Sequence, residues 1–124
     1  MNTGIALIVD DEPAVRGYIA TILEEDGLET RQASSGAEAL SVVKELAGRL
    51  DLIVSDVVMP DGDGLWLVRS VAESYPKIPI ILMSALPMPA LDGGIEFLHK
   101  PFSTEVLLAV VRKARVKKPG SVGY

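Results

Sequence analysis

The sequence predicts an α/β fold in which five parallel strands form one sheet with helices on both faces. Three observations support this prediction. Short apolar runs alternate with helical patterns, each run stops at a polar residue or a turn signal, and 48% of the 124 residues are hydrophobic. A chain of this length and composition forms one domain with a full core. Strands that alternate with helices form parallel sheets, and right-handed crossovers put the helices on both faces.

The chain begins with an apolar run over residues 4–9, which predicts a buried first strand. Pro13 suits the first turn of the helix that follows, because no N–H is needed at that position. This helix is expected to end at Asp26-Gly27, a typical stop signal. Residues 28–32 are then a short second strand.

Capping and stop signals predict the next two helices. Ser35 and Glu38 have the spacing of a capping box, in which each side chain binds a backbone N–H, so the second helix runs from there to about Leu46. A third helix is predicted over residues 65–74. Trp66 lies between two leucines of this helix, and we expect it to pack in the core rather than lie exposed at a contact surface.

The third strand is the most informative part of the sequence. In the stretch over residues 51–60, an apolar run stops at a carboxylate, Asp56, and a proline follows. Such a run predicts a strand buried on both faces. Asp56 then lies at the carboxyl end of this strand, where open α/β sheets bind ligands. The alternative is that Asp56 only begins a turn.

Two more strands and one helix complete the predicted fold. Residues 78–83 and 95–98 are apolar without helical periodicity and predict strands four and five. Ser103 is expected to cap a last helix that runs to about Ala114. The remaining residues, 117–124, are basic and then contain Pro and Gly, which is typical of a tail or the start of a linker.

Composition excludes several classes of protein. The formal net charge is −5, whereas a phosphate backbone is bound through clustered Lys and Arg, so no nucleic-acid partner is expected. There are no cysteines, which excludes thiolate catalysis and disulfides. No apolar run approaches about 18 residues, and the chain lacks a signal-peptide pattern, so we expect a cytoplasmic protein that does not bind membranes.

Polar residues at the ends of four strands are predicted to meet. Asp10 and Asp11 follow the first strand, Asp56 ends the third, Ser84 ends the fourth and Lys100 follows the fifth. In a doubly wound sheet these ends lie side by side. Three close carboxylates repel one another unless a cation lies between them. Mg²⁺ suits such oxygen ligands, and zinc is disfavoured because the chain has one His and no Cys.

A carboxylate beside a metal, a hydroxyl and a lysine can act as the nucleophile toward a phosphoryl group. The metal and Lys100 would neutralise the charge of the transferred group. The alternative for the single motifs is structural. Asp10 and Asp11 would be a solvated helix cap, and Lys100 an ordinary surface lysine. His99 is expected to be exposed without a role.

Five motifs at strand ends occur in a characteristic order. They are Asp10-Asp11, Asp56 with Met59-Pro60 and Gly64-Leu65, Ser84-Ala85, and Lys100-Pro101-Phe102. Together they resemble the receiver domain of two-component response regulators, a CheY-like family, over residues 4–115. The resemblance implies a flavodoxin-like fold with strand order 2-1-3-4-5. We therefore expect a receiver domain over residues 1–116, followed by the tail.

The resemblance also implies the roles of the acidic residues. Asp56 matches the phosphoacceptor, which takes a phosphoryl group from a histidine kinase or a phosphotransfer protein. Asp11, Asp56 and the backbone carbonyl of Val58 would bind Mg²⁺, and Asp10 would act through a bound water. The downstream target, and whether the chain stands alone or is part of a larger protein, stay open.

The switch residues follow from the same resemblance. Ser84 matches the hydroxyl that moves toward the phosphate, and Lys100 matches the cation that pairs with Asp56 and later with the phosphate. Phe97 occupies the switch-aromatic position, in which the ring turns inward when Ser84 moves. The alternative is that Phe97 is an ordinary core aromatic.

Two features depart from the family pattern. Only 15 residues, several of them Pro or Gly, separate Ser84 from Lys100, so the fourth helix is expected to be short or missing, with a loop or one turn near Pro89–Asp92. Such shortening resembles receivers attached to hybrid sensor kinases. Val58 and Leu86, two residues beyond Asp56 and Ser84, cannot orient a water, which predicts a long-lived phosphorylated form.

Two other functions compete with a signalling module that catalyses only its own modification. One is a Mg²⁺-dependent phosphohydrolase with Asp56 as nucleophile, but such enzymes need a second acid where this chain has Val58. The other is a degenerate receiver that only docks partners. It is disfavoured because every acidic, hydroxyl and lysine position is filled.

Overall fold

Strands and helices alternate along the chain in the predicted order. The computed structural model of the protein describes residues 4–46, 48–59, 64–87 and 95–116. The elements are β1 (Ile5–Val9), α1 (Pro13–Glu25), β2 (Glu29–Ala33), α2 (Gly36–Leu46), β3 (Leu50–Asp56), α3 (Gly64–Ser74), β4 (Ile80–Ser84), β5 (Glu96–His99) and α4 (Thr104–Val116). Their bounds differ from those expected from the sequence by about one or two residues.

The strands pair in parallel in the order β2-β1-β3-β4-β5, which confirms the predicted topology. Val9 lies opposite Ser55 in the register of β1 and β3, and Ser84 lies opposite His99 in that of β4 and β5. The carboxyl ends of these four strands therefore meet at one edge of the sheet. The strand order reverses beside β1 at this edge, which is where such folds bind ligands.

Each face of the sheet is covered by two helices with their own core. α2 and α3 pack on one face, which includes Leu67 and Ile53, and α1 and α4 pack on the other, which includes Leu107 and Val54. Successive residues of β3 face opposite sides, and both sides are buried. Each fully buried leucine contributes roughly 1.5–3 kcal/mol to folding. Burial on both faces explains why β3 is a nearly unbroken apolar run.

Side-chain caps begin two of the helices at the expected residues. The Ser35 Oγ accepts a hydrogen bond from the Glu38 N–H at 3.1 Å. The Glu38 carboxylate accepts the N–H of Ser34 rather than that of Ser35, so the reciprocal half of the capping box lies one residue earlier than expected. The Ser103 Oγ accepts the Val106 N–H at 3.1 Å and caps α4.

Trp66 does not pack in the core, so that prediction was wrong. Its side chain is 37% exposed. The buried line of α3 runs through Leu67 and Val71, which are four residues apart and lie on one side of the helix. Trp66 is offset from this line by one residue, about 100° around the helix axis, and therefore points to the surface. His99 is exposed, as expected.

The described part of the connection between β4 and β5 contains no helix, in agreement with the expectation of a short or missing fourth helix. This part comprises residues 85–87 and 95. The loop or single turn expected near Pro89–Asp92 falls on residues that lie outside the described ranges. The same holds for the tail, and α4 ends at Val116.

Candidate functional site

Three carboxylates meet at the carboxyl edge of the sheet. Asp10, Asp11 and Asp56 each offer an oxygen, and these oxygens all lie within 4.8 Å of one another. The three residues differ in access to solvent: Asp10 is buried, Asp11 is exposed, and the Asp56 side chain is 13% exposed. The structure thus brings together the acidic residues that the sequence singled out.

Lys100 lies between two of these carboxylates. Its Nζ donates to Asp10 Oδ2 at 3.0 Å and lies 3.4 Å from Asp56 Oδ2. The backbone N–H of Lys100 donates to the Ser84 carbonyl at 2.9 Å, which fixes the lysine to the end of β4. The sequence indicated a partnership with Asp56, whereas the shorter contact is with Asp10. A buried Asp10 requires this ammonium because an unpaired buried charge is costly.

Burial and the charges in this cluster shift two pKa values. Burial raises the pKa of Asp56, the Lys100 ammonium opposes this shift, and the Asp10 charge adds to it. Burial disfavours the ammonium of Lys100, but its hydrogen bond to Asp10 and the charges of Asp10 and Asp56 outweigh burial and raise its pKa. Lys100 therefore stays charged, and Asp56 is a more basic carboxylate than usual.

Asp10 is held by contacts that the sequence did not reveal. Its Oδ1 accepts the Glu12 N–H at 2.9 Å, and its backbone N–H donates to the Ala33 carbonyl at 3.2 Å. The guanidinium of Arg16 donates to the Asp10 carbonyl at 2.6 Å. The sequence gives little signal for this last contact, since an arginine in a first helix is ordinarily a surface residue.

Gly64 brings the start of α3 against the backbone of Asp56. A Cβ atom at residue 64 would lie 2.3 Å from the Asp56 carbonyl oxygen, closer than any real contact. The Gly64 N–H donates to the Val57 carbonyl at 2.7 Å. Only a glycine lets the two backbone segments come this close, which explains why residue 64 is a glycine.

Ser84 and two apolar residues lie at or just after the ends of β3 and β4, the strands that pair beside Asp56. Ser84 is 4% exposed, and its Oγ accepts the Leu86 N–H at 3.0 Å. Val58 and Leu86 are 65% and 64% exposed. The hydroxyl is therefore engaged with the loop after β4, and the rim of the site is apolar at the two residues beyond Asp56 and Ser84.

Phe97 lies on the same side of the sheet as α2 and α3. It is partly buried against the core on that side and lies opposite Leu82 in the register of β4 and β5. Alternation along β4 puts Ser84 on this side as well. Both the core role and the switching role predicted for Phe97 are compatible with this position.

An apolar groove opens beside Lys100. It lies between the start of α1 and the segment after β5, and its volume is about 430 Å³. The rings of Tyr18 and Phe102 contribute to its wall, with centroids 6.4 Å apart. The groove continues from the charged site onto the surface of the first helix.

The cluster fits a divalent metal ion. Its donors are carboxylate oxygens at the spacing of a shared ligand set, which hard cations prefer. Three carboxylates with one ammonium leave an excess of negative charge that a cation would offset. Asp10, Asp11 and Asp56 are the residues that could hold it.

No helix in the described ranges combines the length and apolar character of a membrane span.

Comparisons with known proteins identify the family of this chain. The family model of the response regulator receiver domain matches residues 6–112. The sensor kinase CckA of Brucella abortus (strain 2308) is 40% identical over 124 residues, which cover 94% of this chain and 13% of CckA. The DNA-binding transcriptional regulator NtrC of Escherichia coli (strain K12) is 31% identical over 121 residues, which cover 92% of this chain and 25% of NtrC.

The solved structure of the chemotaxis protein CheY4 of Vibrio cholerae superposes with a TM-score of 0.82 at 30% identity, covering 90% of this chain and 98% of that chain. The chain spans no more than about a quarter of the two longer relatives. The fold, the strand-end motifs and these matches lead to one conclusion. The chain belongs to the response regulator receiver domains, the phosphoacceptor modules of two-component signalling.

Proposed function

We propose that Asp56 is the residue that accepts the phosphoryl group. The observation that carries this proposal is the meeting of three carboxylates and one ammonium at the carboxyl edge of the sheet. Among the described residues, Asp56 alone of the three carboxylates combines contact with Lys100 with access from solvent. Asp10 is buried, and both of its carboxylate oxygens accept hydrogen bonds.

In the proposed reaction, an oxygen of the Asp56 carboxylate attacks the phosphorus of a phosphohistidine. The P–N bond breaks, its electron pair stays on the imidazole nitrogen, which takes up a proton, and an acyl phosphate forms on Asp56. Lys100, 3.4 Å from the carboxylate, would offset the negative charge of the transferred group. Positioning and electrostatics account for most of the catalysis such a transfer requires.

We propose Mg²⁺ as the metal, held by Asp11, Asp56 and the backbone carbonyl of Val58. Asp10 would act through a bound water. Its two carboxylate oxygens already accept hydrogen bonds from Glu12 and Lys100, and each has a further lone pair that can accept a hydrogen bond from the water. When bound, Mg²⁺ neutralises negative charge on the phosphoryl oxygens.

Ser84 and Phe97 are the proposed switch. The Ser84 hydroxyl would leave the Leu86 N–H and donate to a phosphate oxygen, and Phe97 would move into the space that it vacates. Their common side of the sheet supports this role. The charge added at Asp56 would then bias a packed element between two states.

We propose that the domain is not an enzyme toward other substrates and catalyses only its own phosphorylation and dephosphorylation. A phosphohydrolase of similar fold needs a second acid two residues after the nucleophile, and that residue is the exposed Val58. A purely docking receiver is less well supported, because the acidic residues and Lys100 are in contact.

A histidine kinase or a histidine phosphotransfer protein is the proposed donor in the cytoplasm. The match to a sensor kinase supports a donor of this kind. The apolar groove beside Lys100 supports a protein donor, because a small phosphodonor has no apolar surface to bury there. The proposed domain comprises residues 1–116, with 117–124 as a tail or linker.

The test is incubation with a small phosphodonor and Mg²⁺, followed by intact-mass measurement. Wild type should gain one phosphoryl group, and Asp56→Asn should gain none, because an amide is not a nucleophile at this site. Asp51→Asn is the matched control, since it changes an acid at the opposite end of the same strand, and it should still be labelled. Labelling of Asp56→Asn, or none of wild type, contradicts the proposal. Turnover of a phosphate ester would favour the phosphohydrolase.

A further inference from the structure

Arg16 connects three parts of the protein behind the acidic cluster. It lies on α1 and is partly buried. Its Nη1 donates to the backbone carbonyl of Asp10 at 2.6 Å, and its Nε donates to the Gln32 side-chain oxygen at 3.1 Å. One guanidinium therefore fastens the end of β1 to the end of the edge strand β2.

The contact of Arg16 falls on the peptide that joins Asp10 to Asp11. The side chain of Asp10 is fixed independently, by Glu12 and Lys100. Asp11 is exposed, so its carboxylate depends more on the backbone that carries it than on packing. Holding the Asp10 carbonyl restricts rotation of this peptide and so limits where the Asp11 carboxylate can lie.

We infer that Arg16 is a positioning residue for the cation site: through the Asp10–Asp11 peptide it holds the Asp11 carboxylate within reach of Asp56. This inference rests on the proposed function, in which the cluster binds Mg²⁺. Arg16 touches neither the ion nor the phosphoryl group and acts only through the backbone. Groups that act behind a metal ligand in this way typically change metal affinity by about 10–100-fold.

Charge and position predict opposite effects, which makes the inference testable. A guanidinium near the site repels a divalent cation, so a purely electrostatic role predicts that Arg16→Met tightens Mg²⁺ binding. A purely structural role lowers stability and leaves the affinity of the folded protein unchanged. A positioning role predicts weaker binding even though a positive charge has been removed.

The experiment measures the Mg²⁺ dissociation constant of the folded protein by calorimetry, together with its urea unfolding. Arg16→Met should weaken Mg²⁺ binding by about tenfold. Arg16→Lys keeps the charge but cannot bridge both acceptors, so it should restore only part of the affinity. Arg112→Met removes a charge at the opposite end of the sheet and should leave the dissociation constant unchanged. Unchanged or tighter binding in folded Arg16→Met overturns the inference.

Phosphorylation by a small donor gives a second readout. In Arg16→Met, the Mg²⁺ concentration for half-maximal rate should rise by about tenfold, while the rate at saturating Mg²⁺ changes little. If Arg16→Met does not fold, Arg16→Lys and Gln32→Leu decide: unchanged Mg²⁺ affinity in both overturns the inference. A wild type that neither binds Mg²⁺ nor is labelled overturns the proposed function as well, whereas a labelled wild type with unaffected Arg16 variants overturns this inference alone.

Discussion

Charged residues cluster at both ends of the sheet, but the two clusters are built differently. At the amino end, Arg112 lies 3.4 Å from Asp26 and Arg115 lies 2.7 Å from Asp51, so acids and bases are matched. At the carboxyl end, three carboxylates lie within 4.8 Å of one another, and Lys100 contacts two of them. Matched pairs fasten α4 to the sheet and to α1, whereas an excess of negative charge lowers stability and is suited to binding a cation.

The largest contrast is expected between Lys100→Met and Arg112→Met. Lys100→Met removes the counter-charge of the buried Asp10 and should lower the free energy of unfolding by about 3 kcal/mol. The Arg112 side chain is 64% exposed, so Arg112→Met should cost less than about 1 kcal/mol. Urea unfolding at neutral pH measures both. Equal losses would mean that the two clusters do not differ in the way their burial indicates.

Asp56→Asn should stabilise the domain, whereas Asp51→Asn should destabilise it. Burial raises the pKa of Asp56 in spite of Lys100. A carboxyl group whose pKa is raised by folding stabilises the fold at low pH, and this stability is lost as the pH rises through the raised pKa. Asp56→Asn removes that loss, so a gain in stability is expected at neutral pH.

This gain should shrink as the pH falls through the carboxyl range, where wild-type Asp56 becomes protonated. Asp51→Asn removes the negative charge that lies 2.7 Å from the guanidinium of Arg115. The Arg115 side chain is only 24% exposed, so the loss of this ion pair should lower stability. Unfolding of both variants across this pH range is the measurement. A stability gain in Asp51→Asn, or a pH-independent gain in Asp56→Asn, would contradict the comparison.

A change at the exposed rim should have the smallest effect on stability and should act on the kinetics instead. Val58→Asn adds a side chain that can orient a water beside the proposed acyl phosphate, and the rate of dephosphorylation should rise by up to roughly tenfold, about 1.4 kcal/mol. Val116→Asn is the matched control, because Val116 is 80% exposed and ends α4. The decay of the labelled mass with time tests this, and unchanged decay in Val58→Asn would reject the role of Val58.

Sequence reasoning reached the sheet and the members of the carboxyl-end cluster because both follow from simple rules. Apolar runs indicated β3 and its neighbours, and parallel topology brought Asp10, Asp56 and Lys100 to one edge. The rules do not fix which oxygen a long side chain reaches, so the pairing of Lys100 with Asp10 was missed. The prediction that Trp66 packs in the core was wrong for a related reason, since a run of apolar residues does not reveal which one faces outward.

The sequence also did not predict the contact of Arg16 with the Asp10 carbonyl. It depends on the angle between α1 and the sheet, which is set by packing rather than by spacing along the chain. Gly64 lies between the features that the sequence predicted and the contacts that it did not. Its place in the motif was visible, but its closeness to the Asp56 carbonyl, which excludes any Cβ, required coordinates.

The contact between Asp10 and Lys100 joins residues 90 apart in the sequence. The ribosome therefore adds the lysine long after the acid that needs it. A nascent chain released before β5 would lack the ammonium that pairs with the carboxylates of Asp10 and Asp56. The cluster at the carboxyl edge of the sheet is therefore complete only after β5 and the residue that follows it have been made and have joined the sheet.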